Sequence, residues 1–273
     1  MFKDIKQVMK DSVLYGIGNV AVKLVGFILI PLYTDAEYFS TADYGLMGLL
    51  EVTSQILIAV MGLSLYSGLI RWYWDAEYQD KQKTIFFTTL LFTILTSLCI
   101  GSVLWLNVGE LSALLVQQEG YSLGGELPYI LQLLILTSML GAVVEVPQNL
   151  LRLQRKPIYY SLTNIVRLFV TLVLTIYFTI SLHRGVSGVY EAQLVGIVIQ
   201  LLMVLPLVIK NSSCRVDRKC TIQLLAYSYP LVFPAIVGSL LTVFDRYIIN
   251  HFQGLDDVGF YSLGYKVGIT LKV

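Results

Sequence analysis

Long apolar runs separated by short polar breaks dominate the chain. Seven runs approach or exceed the about 20 apolar residues that carry a helix across a bilayer. They cover residues 13–33, 44–70, 85–106, 128–150, 159–182, 188–209 and 227–249. An eighth opens at residue 259 and is still apolar where the chain stops at Val273. The pattern predicts an all-α polytopic membrane protein with seven spans and a truncated eighth, and a chain that is part of a longer protein. The first run follows Lys3, Lys6 and Lys10, as a signal peptide's would. It is too long for one, since such apolar regions run about 7–15 residues, and no small-residue cleavage site follows it. It is read as a retained span.

Polar breaks differ sharply in charge. Lys3, Lys6 and Lys10 precede the first span; Arg71, Lys81 and Lys83 lie in the 71–84 loop; Arg152, Arg155 and Lys156 in 151–158; Lys210, Arg215, Arg218 and Lys219 in 210–223. The intervening loops at 34–43, 107–127 and 250–258 have no Lys or Arg, and 183–187 has Arg184 alone. Cytoplasmic loops carry the excess of Lys and Arg. The alternation places the N-terminus in the cytoplasm, and a miscounted span would have scrambled it. Composition agrees: 14% of residues are charged and 56% hydrophobic, against about 25% and 45–50% in soluble domains. The outer 108–126 loop has room for a short interfacial helix, and no loop is long enough for a globular domain.

A shift of 214 residues superposes Tyr15 on Tyr229, Tyr33 on Tyr247, Asp43 on Asp257, Gly45 on Gly259 and Leu49 on Leu263. At both places a span leads through an outer loop ending D-x-G into the next span, and both copies start inside. The repeat is therefore parallel, with its axis along the membrane normal. It divides the chain into a six-span lobe at 1–210, a cytoplasmic linker at 211–223 and the start of a second lobe at 224–273.

Lys23, Arg167, Arg246 and Lys266 fall inside spans, where a cation is expensive. Lys23 shares a helical stripe with Ser12, Gly16, Asn19 and Gly26. Arg167 lies on a stripe with Thr163, Thr171, Thr175 and Thr179, and Glu51 on one with Ser54, Gln55 and Gly62. Glu145 precedes Pro147, and Asp245 adjoins Arg246. The structural alternative pairs Glu145 with Arg167 and Lys23 with Glu51, leaves Asp245 and Arg246 hydrated near the interface, and bonds the threonines to backbone. Four cations on four different helices argue instead for a water-filled cationic cavity that attracts an anion. Pro31, Pro147 and Pro230 are expected to kink or end their helices. The chain has no HExxH, GxSxG or P-loop motif, and Cys99, Cys214 and Cys220 form no CxxC pair. A transporter, not an enzyme or an ATP-driven pump, is expected.

Three stretches carry a family resemblance. "GFILIPLYT" (26–34) followed by "ADYG" (42–45), "LLRLQRKPIYYS" (150–161) and "LLAYSYPLVFPAIVGSLLTVFDRYIINHFQGLDDVGFYSLGYKVG" (224–268) together resemble the O-antigen and capsule oligosaccharide flippases. These belong to the multidrug/oligosaccharidyl-lipid/polysaccharide exporter superfamily. The resemblance implies a MATE-like fold of two six-helix lobes facing a central cavity. It implies alternating access, often ion-coupled, in a bacterial cytoplasmic (inner) membrane. Its implied substrate is an isoprenoid-pyrophosphate-linked oligosaccharide moved from the inner to the outer leaflet. Membrane lipid and other polysaccharide assembly proteins would be its partners, nucleic acid would not, and no cofactor is expected beyond a coupling proton or sodium ion. Arg246 falls in the family-like D-R-Y stretch. Lys23, Arg167 and Lys266 rest on the charge argument alone. These four are expected to bind the pyrophosphate, with Glu51, Glu145 or Asp245 as coupling groups. Two other readings are a multidrug exporter of the same superfamily, which four buried cations disfavour, and a membrane glycan polymerase or ligase, which would need a larger outer loop.

Overall fold

A computed structural model describes residues 28–115 and 125–271. A helical turn, α1 (Ile30–Tyr33), ends the first apolar run. The second run starts as α2 (Thr41–Gly62), whose first turn is fixed by a capping box: Ser40 Oγ accepts from the Asp43 N–H at 3.1 Å, and Asp43 Oδ2 accepts from the Ser40 N–H at 2.9 Å. The expected single helix over 44–70 is not continuous. Leu63 and Ser64 both take left-handed backbone conformations, φ 45° and 52°, before α3 (Leu65–Trp72) resumes. Each such residue costs roughly 1–2 kcal/mol. The tertiary structure compensates: Thr96 Oγ1 donates to the freed Met61 carbonyl at 2.8 Å, and Ser64 Oγ donates to the Leu231 carbonyl at 3.4 Å.

A 3-10 turn (Ala76–Lys81) leads into α4 (Gln82–Leu106), and α5 (Val108–Leu115) is the expected short helix of the outer loop. Then come α6 (Leu127–Leu153), α7 (Pro157–Ile176) continued by a π turn (Tyr177–Ser181), and α8 (Gly185–Asn211). The last two are α9 (Arg218–Phe252) and α10 (Leu255–Leu271). Among the described residues, six helices are long and apolar enough to cross a membrane; the protein is all-helical and multi-pass. Pro147 and Pro230 end neither of their helices, since α6 and α9 run through them. The seventh apolar run forms a longer helix than expected, because Asp217 caps it well before the hydrophobic stretch by accepting from the Lys219 and Cys220 N–H groups.

Helix α2 packs against α6, α9 and α10, while α6 packs on α4 and α8, and α7 on α8. The buried apolar side chains form two clusters, one at each end of the bundle. Leu46, Leu49, Ile135 and Val189 belong to the first, Phe86, Leu150, Leu207 and Leu224 to the second. Phe169, Leu202 and Leu241 stand exposed, as side chains facing lipid would.

Helices α2 and α10 cross at backbone contact. A Cβ on Gly45 would lie 1.9 Å from the Leu255 carbonyl oxygen, and one on Gly259 would lie 2.5 Å from that of Thr41. The shift of 214 carries Thr41 to Leu255 and Gly45 to Gly259, so the crossing is reciprocal. Positions that the sequence repeat pairs thus meet at this one crossing, made possible by residues without side chains.

Candidate functional site

Polar side chains on α2, α7, α8 and α10 meet in a cavity of about 490 Å³. Ligand sites run about 300–1,000 Å³. Two of the four predicted cations, Arg167 and Lys266, line this cavity together with Glu51. Lys266 Nζ lies 3.5 Å from Glu51 Oε2, with both side chains partly exposed. The same ammonium sits 5.9 Å from the Tyr33 ring centroid and 5.4 Å from that of Tyr44. Lys266 thus comes from the last helix, α10, and lands in a wall built by α2, α7 and α8. The ion pair and the aromatic faces hold it there.

Arg167 is set by a chain of hydrogen bonds. Its Nη1 donates to Gln200 Oε1 at 3.1 Å, and Gln200 Nε2 donates to Asn164 Oδ1 at 3.0 Å. Gln200 is almost fully buried. It takes one of the guanidinium's five N–H donors. Close packing of α7 on α8 depends on Gly196, where a Cβ would lie 2.2 Å from Thr171 Oγ1. Ser54, Gln55, Thr171 and Gln193 complete the polar lining, and Tyr190 adds an aromatic wall. Of the threonine stripe, Thr171 faces the cavity, whereas Thr163, Thr175 and Thr179 are buried in packing.

The other predicted residues lie elsewhere. Lys23 falls outside the described residues. Arg246 is buried, with its guanidinium 4.9 Å from the Tyr265 ring centroid, and does not line this cavity. Asp245 accepts from the Tyr261 hydroxyl and from the Arg246 N–H, the latter at 2.8 Å. Asp245 is therefore committed to local bonds. Glu145 and Arg167 form no ion pair; Glu145 lines a second cavity, near the α2–α3 break. Gln55 borders both cavities.

Sequence reasoning missed Asn164, Gln193 and Gln200. Their signal was present: Asn164 precedes Arg167 by three residues, and Gln193, Gly196 and Gln200 follow at spacings of three and four inside the sixth apolar run. Uncharged polar residues are cheaper in a membrane helix than charges, and so they drew less attention.

Two ion pairs tie the basic 71–84 and 210–223 loops together. Lys81 pairs with Asp217 at 2.5 Å, and Lys219 with Glu77 at 2.6 Å. The Lys81 ammonium, then the Cys220 and Lys219 N–H groups, hold the Asp217 carboxyl below its ordinary range.

A family model described as polysaccharide biosynthesis protein matches residues 8–273. A comparison with curated proteins found no match. Among solved structures, the MATE multidrug transporter DinF-BH is similar with a TM-score of 0.77 at 15% identity, over 97% of this chain and 61% of its own. The Vibrio cholerae MATE transporter VcmN gives 0.67 at 17% identity, over 96% and 60%. A Pyrococcus furiosus transporter of the MOP superfamily gives 0.61 at 15%, over 97% and 58%; its structure is described as suggesting a different function from the reverse polarity of its binding pocket. The fold is thus MATE-like, and the chain spans about three fifths of the length of these transporters.

Proposed function

The chain belongs to the polysaccharide biosynthesis protein family, and on that premise we propose that it forms the first lobe (1–210), linker (211–223) and opening of the second lobe (224–273) of a flippase. The substrate class is an isoprenoid-pyrophosphate-linked oligosaccharide, carried from the inner to the outer leaflet of a bacterial cytoplasmic membrane. One observation carries this reading: Arg167 and Lys266, from different lobes, line one partly open cavity. A pyrophosphate entering it would exchange hydration for the Lys266 point charge and the Arg167 fork. The neutral amides of Gln55, Gln193 and Asn164 suit the hydroxyls of a sugar. The lipid tail stays in the bilayer. Because the two cations sit on different lobes, a bound anion would draw the lobes together, which is the differential contact that alternating access requires. Lys23 keeps a place in this reading as a further cation of the complete cavity, whereas Arg246 is buried against Tyr265 and does not line it.

Export of organic cations is the second reading. Glu51 among Tyr33, Tyr44 and Tyr190 would favour it, since a carboxylate within aromatic walls attracts a cation. In this structure Glu51 is already occupied by Lys266. The deciding experiment deletes the complete gene, restores it, and quantifies lipid-linked oligosaccharide on the inner leaflet of spheroplasts. Deletion should cause accumulation, wild type should clear it, and Lys266→Gln or Arg167→Gln should slow clearance by about tenfold or more, the worth of one charged hydrogen bond. No accumulation on deletion, with new sensitivity to cationic dyes, would establish the second reading instead.

A further inference from the structure

The end of α6, the start of α7 and the end of α8 meet at one basic turn, and Gln154 ties them together. Its Nε2 donates to Asn211 Oδ1 at 2.9 Å and to the Tyr73 hydroxyl at 3.1 Å, and its Oε1 accepts from Lys156 Nζ at 2.7 Å. The Tyr159 hydroxyl donates to the Met203 carbonyl and fixes the start of α7 on α8. Arg152, Arg155 and Lys156 of this turn, and Lys210 at the end of α8, are all exposed. Among the described residues, none of them pairs with a carboxylate. Arg71, Lys81 and Lys219 in the neighbouring loops are each held by one. The sequence explains the difference. Between residues 146 and 211 the single acidic residue is Glu191, which pairs with Arg184 at the opposite end of α8. Glu145 is seven residues before Arg152, about 10 Å along the helix axis. The Arg152 guanidinium instead covers the Tyr160 ring, 4.6 Å from its centroid.

Arg155 stands in an unusual place for an arginine. Helix α6 closes with the Lys156 N–H donating to the Leu151 carbonyl at 2.9 Å and the Arg155 N–H to the Arg152 carbonyl at 3.0 Å. That closure puts Arg155 in the left-handed region at φ 52°, where glycine is the usual residue. A cation is therefore kept where a residue without a side chain would be less strained.

Apolar stripes lead away from the same turn. On α7, Ile158, Leu162, Ile165 and Phe169 are exposed at spacings of four, three and four, so they share one face. That face runs about 16 Å along the helix, roughly one leaflet of a bilayer core. On α8, Leu202, Leu205 and Ile209 form a second stripe that ends beside Lys210. The residues nearest the turn, Ile158 and Ile209, are 65% and 69% exposed.

We infer that this turn is a binding site for an anionic phospholipid of the leaflet on the basic-loop side. The phosphate lies among Arg152, Arg155, Lys156 and Lys210, and the acyl chains lie along the stripes of α7 and α8. Charge complementarity selects the headgroup, since four cations without acids attract an anion. The stripes select a lipid over a soluble anion, because they continue from the charges into the hydrocarbon. This site is separate from the cavity at Arg167 and Lys266, and it needs only that the helices span a membrane.

The test uses the purified complete protein in detergent, stripped of lipid. It is titrated with phosphatidylglycerol or with phosphatidylcholine of the same chains, and bound lipid is counted by native mass spectrometry. Phosphatidylglycerol should bind about tenfold more tightly. Arg155→Gly combined with Lys156→Gln should abolish most of that preference, because each cation near an anionic headgroup is worth about fivefold. Lys83→Gln combined with Arg215→Gln removes as much charge from the other basic loops and should leave the preference intact. Equal binding of the two lipids overturns the inference. So does an equal loss in both double variants, which would make the preference a general property of basic loops. Inorganic phosphate should not displace the lipid; displacement would mean that the cations take a free anion, and the lipid assignment would fall. If the first double variant does not fold, Arg155→Gly alone replaces it. Glycine suits the left-handed position, so its thermal midpoint should not drop while the preference falls about fivefold. An unchanged preference overturns the inference. The lipids used are ordinary phospholipids, so failure of the flippase reading would leave this site standing.

Discussion

Glu51 and Lys266 set the terms of the site at the smallest scale. Their contact is partly solvent-screened, and pairs of that kind are worth roughly 0.2–1 kcal/mol. The pair is therefore weak enough for a doubly charged pyrophosphate to displace Glu51 from Lys266. Glu51→Gln should tighten binding of an isoprenyl pyrophosphate, by up to about fivefold on that scale, and Lys266→Gln should weaken it. Titration of the complete protein with a fluorescent isoprenyl pyrophosphate separates the two. Equal weakening by both changes would mean that Glu51 positions the ligand and does not compete with it. Gln200 acts at one remove: Gln200→Leu keeps the volume but leaves the Arg167 guanidinium without its orienting acceptor. Binding should weaken with little change in thermal stability of the remaining bundle, since the polar chain through Asn164 is lost as a unit.

Helix crossings and ends carry the next scale. At the α2–α10 crossing, a Cβ on Gly45 would stand 1.9 Å from a backbone oxygen, where no side-chain rotation can relieve it. Gly45→Ala must push the two helices apart. We expect transport to fall by at least tenfold with the protein still inserted, measured by inner-leaflet oligosaccharide and membrane-fraction yield. Gly264→Ala, where a Cβ meets open space, is the matched control. The N-terminus of α9 offers a cleaner electrostatic experiment. Asp217 both caps the helix and pairs with Lys81. Asn can also cap, so Asp217→Asn removes the charge alone, while Asp217→Ala removes both. The midpoint of thermal unfolding should drop more for Ala than for Asn. The carboxyl's pKa is lowered in the folded protein. Its stabilisation is therefore complete above the ordinary carboxylate pKa and lost as pH falls through the lowered value. The gap between wild type and Asn should close in acid, and a gap independent of pH would show that the ion pair contributes nothing.

Across the whole molecule, the charge asymmetry between loop faces predicts orientation. In intact cells a membrane-impermeant maleimide should not reach the exposed Cys214, because it lies in the basic 210–223 loop and basic loops tend to stay in the cytoplasm. The same reagent should label a Glu37→Cys protein, in the loop on the other face. Labelling of Cys214 before lysis would invert the topology, and with it the direction assigned to transport.

Much of this architecture follows from one-dimensional physics. Span length, apolar content and the alternation of basic loops are set by the thickness and polarity of a bilayer, so the helices and their order are legible in the sequence. The 214-residue repeat is periodic and was legible too, whereas the local Ser40–Asp43 cap went unread. The break at Leu63–Ser64 was not legible. Neither residue prefers a left-handed backbone, and only acceptors and donors from distant helices, Thr96 and Leu231, make it tolerable. The cavity was legible in kind and not in membership. A buried cation in the sequence signals that a partner must exist. Which partner it finds depends on how helices rotate against each other. Packing put Lys266 beside Glu51, set Arg167 on Gln200, turned Arg246 onto Tyr265 and left Glu145 at a helix end. Those choices rest on contacts between residues far apart in the chain, which periodicity along one helix does not encode.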